Sequence, residues 1–127
     1  MTRNNTIVLN RGDSYEFDLT IADENSLTGR YHLVDNDTVY FYIVYPNQPF
    51  EEAIITKEYT VEDTDEMGNL TISIDPTDTL DLLPGTYYYT VKVHLNHNIY
   101  DEETEELLGH VNRINTIINR TKLFLCE

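Results

Sequence analysis

Ser14-Tyr15-Glu16-Phe17-Asp18-Leu19-Thr20-Ile21 alternates polar and apolar residues without a break. Tyr15, Phe17, Leu19 and Ile21 share one face, and Ser14, Glu16, Asp18 and Thr20 the other. Successive strand side chains point to opposite faces, so this pattern reads as a half-buried antiparallel strand. Upstream, Thr6 to Leu9 reads as a short strand, with Arg11-Gly12-Asp13 as the turn between. Downstream, Thr38 to Tyr45 is apolar or aromatic on both faces, so it lies centrally or one face meets a partner. Pro46 and Pro49 end regular pairing there. Ala53 to Val61 is the next strand, although Lys57 shares a face with Ile55 and Tyr59. Either its stem snorkels or the strand is an edge.

Glu62 to Asn69 reads as an acidic hairpin loop before the strand Asn69 to Ile74, with Leu70, Ile72 and Ile74 inward. Asp75 as N-cap and Pro76 at the first helical position predict a short helix over 76–83, closed by Pro84-Gly85. Thr86 to Leu95 is the longest strand, with Tyr87, Tyr89, Val91, Val93 and Leu95 on one face. The final strand runs through Val111 to Ile118 and Leu123 to Cys126, with a bulge at Asn119 to Lys122 where the inward parity changes. The expectation is an all-β fold: one antiparallel β-sandwich domain over 1–127, with about seven strands and long loops at 22–37 and 96–109. Within the first loop, Tyr31 to Val34 reads as a short edge strand. A closed barrel is the second choice. Leu83-Pro84-Gly85-Thr86-Tyr87-Tyr88-Tyr89 marks the corner where a sandwich chain crosses between sheets, with a tyrosine early in the penultimate strand.

Composition narrows function. In 127 residues, acids outnumber bases 23 to 8, a net charge of −15. This argues against nucleic acid, whose affinity comes from Lys and Arg on phosphates, and against anionic membranes. No apolar run approaches the roughly 20 residues of a membrane span, and the N-terminus lacks a signal peptide's apolar core. One cysteine, Cys126, excludes an intrachain disulfide framework; its apolar neighbours predict an inert thiol.

The remaining motifs have plain structural readings. Arg11-Gly12-Asp13 spells an integrin-binding tripeptide, but a glycine between strands is turn chemistry. Glu62 to Gly68 has a calcium loop's acids without its spacing: from Asp63, position 5 is Met67 and position 12 is Ile74, where a bidentate Glu is required. His32, His94, His97 and His110 have no metal-ligand spacing, and no phosphate loop or nucleophile elbow is present. The expectation is no enzyme, no metal and no cofactor. Asn-x-Thr occurs at Asn4, Asn36, Asn69 and Asn119 and reads as β-rich composition. Ten tyrosines without tryptophan say more. Tyr40 and Tyr42 lie opposite Phe41 and Ile43, and Tyr88 opposite Tyr87 and Tyr89. They serve either cross-strand packing or a protein interface.

The segments Arg11 to Leu19, Asp37 to Phe41, Tyr45 to Phe50, Ile72 to Thr79, Leu83 to Tyr89 and Asn115 to Phe124 resemble small β-sandwich structural proteins of tailed bacteriophages and prophages. The resemblance spans the chain except the loops at 22–36 and 96–110. It implies an immunoglobulin-like fold and a non-enzymatic virion role, as a head decoration or head-fibre component or as a baseplate or fibre attachment domain. The group has no catalytic motif to map. The chain ends after one domain without a receptor-binding head, which favours a head-bound accessory protein. The implied partners are other virion proteins and further copies of this chain on a symmetric particle, assembled in a bacterial host cytoplasm.

On that expectation the domain docks through strand edges and tyrosine-rich faces, with Tyr40, Tyr42 and Tyr88 as interface residues. Two other readings compete: a carbohydrate-binding β-sandwich that stacks sugars on tyrosines, and a calcium-stabilised adhesion domain. At −15, self-association should strengthen as salt screens repulsion; weakening with salt means that a local basic–acidic contact dominates.

Overall fold

Alternation builds almost every element. The computed structural model describes residues 6–21, 31–66 and 68–127. The strands are β1 (Ile7–Asn10), β2 (Tyr15–Leu19), β3 (Thr38–Val44), β4 (Ile55–Tyr59), β5 (Leu70–Ile74), β6 (Gly85–Tyr100) and β7 (Leu107–Cys126). A single helical turn, α1 (Pro76–Thr79), lies between β5 and β6. One sheet has the order β1-β7-β6-β3-β4, and β2 pairs with β5 in a second. The fold is all-β, with two sheets sharing one core.

That core is the sum of the inward stripes. Val39, Phe41 and Ile43 of β3, Ile72 and Ile74 of β5, and Tyr89, Val91 and Val93 of β6 are buried together. Phe17 of β2 joins the sheets, its ring 6.1 Å from Phe41 and 6.3 Å from Tyr89. Burial, with the nearby Tyr15 hydroxyl, pushes the Tyr89 phenol up to about 12.

β4 is an edge strand, and the Lys57 stem is also largely covered, its side chain 18% exposed. Its Nζ reaches the second sheet, donating to Ser73 O at 2.8 Å and pairing with Asp75 Oδ2 at 3.2 Å and Asp78 Oδ2 at 2.6 Å. Burial alone would lower its pKa, but Asp78 and Asp75 raise it above the ordinary lysine value. The lysine that breaks the stripe therefore clamps the two sheets.

Several expectations need correction. The pairing is not wholly antiparallel: β1 runs parallel to β7, Ile7 beside Leu123. These two strands meet with no hairpin between them, so nothing forces them antiparallel. The helix over 76–83 is only Pro76–Thr79. Asp75 N–H donates to Asp78 Oδ2 at 2.7 Å to start it, and Leu82 N–H to Thr79 O closes the following turn. Leu83 precedes a proline, which disfavours further helix. The loop at 96–109 is mostly strand, because β6 and β7 continue into it and leave only 101–106 as the connection. Within the expected hairpin loop Glu62–Asn69, Glu62 and Asp63 belong to a 3-10 turn (Val61–Asp63) and Thr64 makes an isolated bridge to Leu70, but β4 and β5 belong to different sheets, so it is no hairpin. Tyr31 to Val34 forms no strand, and 22–30 of the expected 22–37 loop, with Asn4 and Met67, lie outside the described residues.

Other details follow the sequence. β7 is one long strand with three register shifts against β6: Tyr89 faces Thr121 but Val91 faces Ile118, Lys92 then faces Thr116, and Ile99 faces Gly109 but Tyr100 faces Leu107. One extra β7 residue lies between Ile118 and Thr121, within the expected bulge; the extra residues between Thr116 and Ile118 and between Leu107 and Gly109 lie outside it. Gly12 sits at φ +85° in the turn after β1, where a side chain would be strained. Tyr87 OH donates to Leu83 O at 2.6 Å at the crossing from β5 to β6.

Candidate interaction surface

With Phe41 and Ile43 in the core, Tyr40 and Tyr42 must face outward from β3. Register places Lys92 and Glu58 beside Tyr40, Thr90 and Thr56 beside Tyr42, and Tyr88 beside Val44. Tyr40, Tyr42 and Tyr88 thus share the outer face of the five-stranded sheet. The Tyr40 and Tyr42 rings stack at 5.8 Å, inclined by 10°. Burial, with Tyr40 and Glu58 nearby, raises the Tyr42 pKa, so its hydroxyl stays protonated at neutral pH.

Two residues that strand reasoning did not select complete the face. Pro46 to Pro49 turns the chain out of β3, and a 3-10 turn over Phe50–Glu52 lays the Phe50 ring 6.1 Å from Tyr42. Arg120 emerges at the β7 bulge. Its guanidinium carbon lies 5.1 Å from the Phe50 ring centre and 5.0 Å from that of Tyr88. It donates to Gln48 O at 3.1 Å, Tyr45 O at 3.3 Å and Pro46 O at 2.7 Å. One planar cation thereby fastens the proline link and joins two rings, a role whose geometry suits arginine over lysine. The bulge was legible in the sequence; its placement of Arg120 against a ring distant along the chain was not.

Tyr40, Tyr42, Phe50, Glu51, Thr56, Lys92 and Ile114 line a shallow depression of about 380 Å³ on this face. Aromatic walls with polar rims suit a protein side chain or a flat ligand. A second cleft, about 450 Å³, opens beside β2, lined by Tyr15, Phe17, Leu19, Tyr89, Ile117 and Ile118 among others.

Asp37 is buried and accepts from Tyr31 OH at 2.5 Å, His97 Nδ1 at 2.8 Å, Asn96 N at 3.0 Å and Val34 N at 3.1 Å. Burial pushes its carboxyl up, but those four hydrogen bonds outweigh it and hold the pKa below the ordinary aspartate value. Asp37 thus pins the segment before β3 to β6. Cys126 is exposed, contrary to the apolar setting expected, because it follows the inward Leu125 and turns outward. Among the described residues, no group of three His, Cys, Asp or Glu is placed to hold a metal ion, and no helix is long and apolar enough to cross a membrane. No protein-family model matches this chain, and no curated protein is significantly similar to it.

Proposed function

We propose that this chain is a non-enzymatic docking domain that binds other protein subunits through the outer face of its larger sheet, as a structural component of a phage particle. The single observation carrying the docking reading is the outward cluster of Tyr40, Tyr42, Phe50 and Tyr88, joined by Arg120. Tyrosine and arginine are enriched at protein interfaces because each combines large contact area with a polar tip. The phage setting rests on the sequence resemblance alone, and a head-bound accessory role is preferred within it.

An immunoglobulin-like sandwich is the fold proposed to carry this function. Strand order supports it: β2 and β5 take the places of the B and E strands, and β7, β6, β3 and β4 those of G, F, C and C′. The Tyr87 hydroxyl on Leu83 O matches the tyrosine corner of that architecture.

The test replaces Tyr40, Tyr42 and Tyr88 together with serine and measures co-sedimentation with phage particles. Since all three are outside the buried core, the domain should stay folded while particle association falls at least tenfold. Unchanged co-sedimentation overturns the docking reading. A second reading, carbohydrate binding, draws on the stacked Tyr40–Tyr42 pair beside Glu51 in one depression. Glycan-array binding lost in the same variant would favour it.

A further inference from the structure

The prolonged β6–β7 hairpin is the largest feature that the docking reading leaves without a role. β3 stops pairing at His94. Beyond it, Leu95 to Tyr100 and Leu107 to Arg113 pair only with each other. At about 3.3 Å per residue, this two-stranded arm extends the sheet by roughly 20 Å. Ile99, Tyr100, Leu107 and Leu108 are exposed near its end, Leu107 at 61% and Leu108 at 64%. A two-stranded ribbon is marginal in water, and apolar side chains gathered at its tip are those a partner would cover. The connection adds Asp101, Glu102, Glu103, Glu105 and Glu106. It is a formed turn: Asp101 Oδ1 accepts from Glu103 N at 2.8 Å and Thr104 N at 3.0 Å.

The aromatic face has the opposite sign. Lys92, Arg120 and Lys122 lie on it, half of the six Lys and Arg among the described residues. Among those residues, no carboxylate is within ion-pair distance of any of the three, whereas Lys57 is consumed by Asp75 and Asp78. Glu51 and Glu58 border the same face, leaving it net positive on a chain of −15. The arm cannot use its own face. It leaves at the Thr38 end of β3, while Tyr88, Arg120 and Phe50 lie towards the Val44 end.

We propose that the acidic, apolar-tipped arm of one copy docks on the aromatic–basic face of the next copy. The proposal rests on reading that face as a docking surface and names its partner. Charge complementarity selects the site, because an acidic arm approaching another strongly acidic copy is repelled elsewhere. The two surfaces differ, so the contact is heterologous and propagates into a ring or a filament.

Sedimentation velocity over a range of concentrations tests it with the full chain and two variants. The face variant carries Lys92→Gln and Lys122→Gln; the arm variant carries Glu102→Gln, Glu105→Gln, Leu107→Ser and Leu108→Ser. All six side chains lie outside the buried core, and matching circular-dichroism melts verify folding. The native chain should form concentration-dependent species larger than dimers, and each variant alone should associate at least tenfold more weakly. An equimolar mixture should form a 1:1 complex and nothing larger, since one variant retains the arm and the other the face. A native chain that stays monomeric, an arm variant that assembles as before, or a mixture that stays monomeric overturns the proposal. If the native chain is monomeric yet the tyrosine variant loses particle association, the arm proposal alone falls and the docking reading stands.

Discussion

Asp37 shows how one buried charge can organise its surroundings. Its carboxylate satisfies four donors from two separate stretches: Tyr31 and Val34 ahead of β3, and Asn96 and His97 on β6. Replacing it with Asn puts an amide N–H against some of those donors, and each buried group left unpaired costs on the order of 1–3 kcal/mol. Asp37→Asn should therefore lower stability by about 2–3 kcal/mol in urea denaturation. The pKa shift sets the pH window. Its folded-state pKa is depressed, so its stabilisation is present above the unfolded value, near 4, and is lost as pH falls through the folded value. Lys57 and Tyr89 act at the other limit. Both pKa values are raised, so their contributions are complete below the unfolded values of about 10 and are lost as pH rises through the folded ones. Thermal melts should show an acid limb that flattens in Asp37→Asn, and an alkaline decline above about pH 10. An acid limb of unchanged slope in Asp37→Asn would contradict the Asp37 assignment.

Among the elements, the arm and the sheet that bears it differ sharply in what holds them. Inward residues of β6 from Tyr87 to Leu95 are buried, but beyond Asn96 the ribbon is mostly exposed. Local stability follows buried apolar contact, so the arm belongs to the low-stability end of the molecule. Replacing residues 98–110 with Asn-Gly leaves the His97–Val111 pair and the contacts of Asp37 in place, and Asn-Gly suits a two-residue hairpin turn. The truncated chain should melt within about 5 °C of the native one, measured by differential scanning calorimetry. A much larger drop would mean that the arm supports the core.

For the whole molecule, charge distribution matters more than net charge. At −15, copies repel over a distance of about 8–10 Å at physiological salt. The arm and the aromatic face offer a short-range attraction of opposite sign, which added salt also screens. If that contact dominates, association measured by light scattering should weaken as sodium chloride rises, reversing the dependence expected from net charge alone. Association that strengthens steadily with salt would point to burial of apolar surface as the main driving force.

What the sequence determined by itself was the local pattern. A period of two assigns every side chain of a half-buried strand to a face, so the inward stripe of β6 and the outward Tyr40 and Tyr42 could be read directly. The cap at Asp75 and the bulge in β7 were legible because short-range sterics and hydrogen bonding decide them. Tertiary structure decided the rest. Parallel pairing of β1 with β7, the reach of Lys57 to Asp75 and Asp78, and the meeting of Phe50, Arg120 and Tyr88 all join residues far apart in the chain. The acidic stretch around 101–106 masked its flanking strands for the same reason: strand pairing between distant partners, not local polarity, carries β6 and β7 out to the arm's tip.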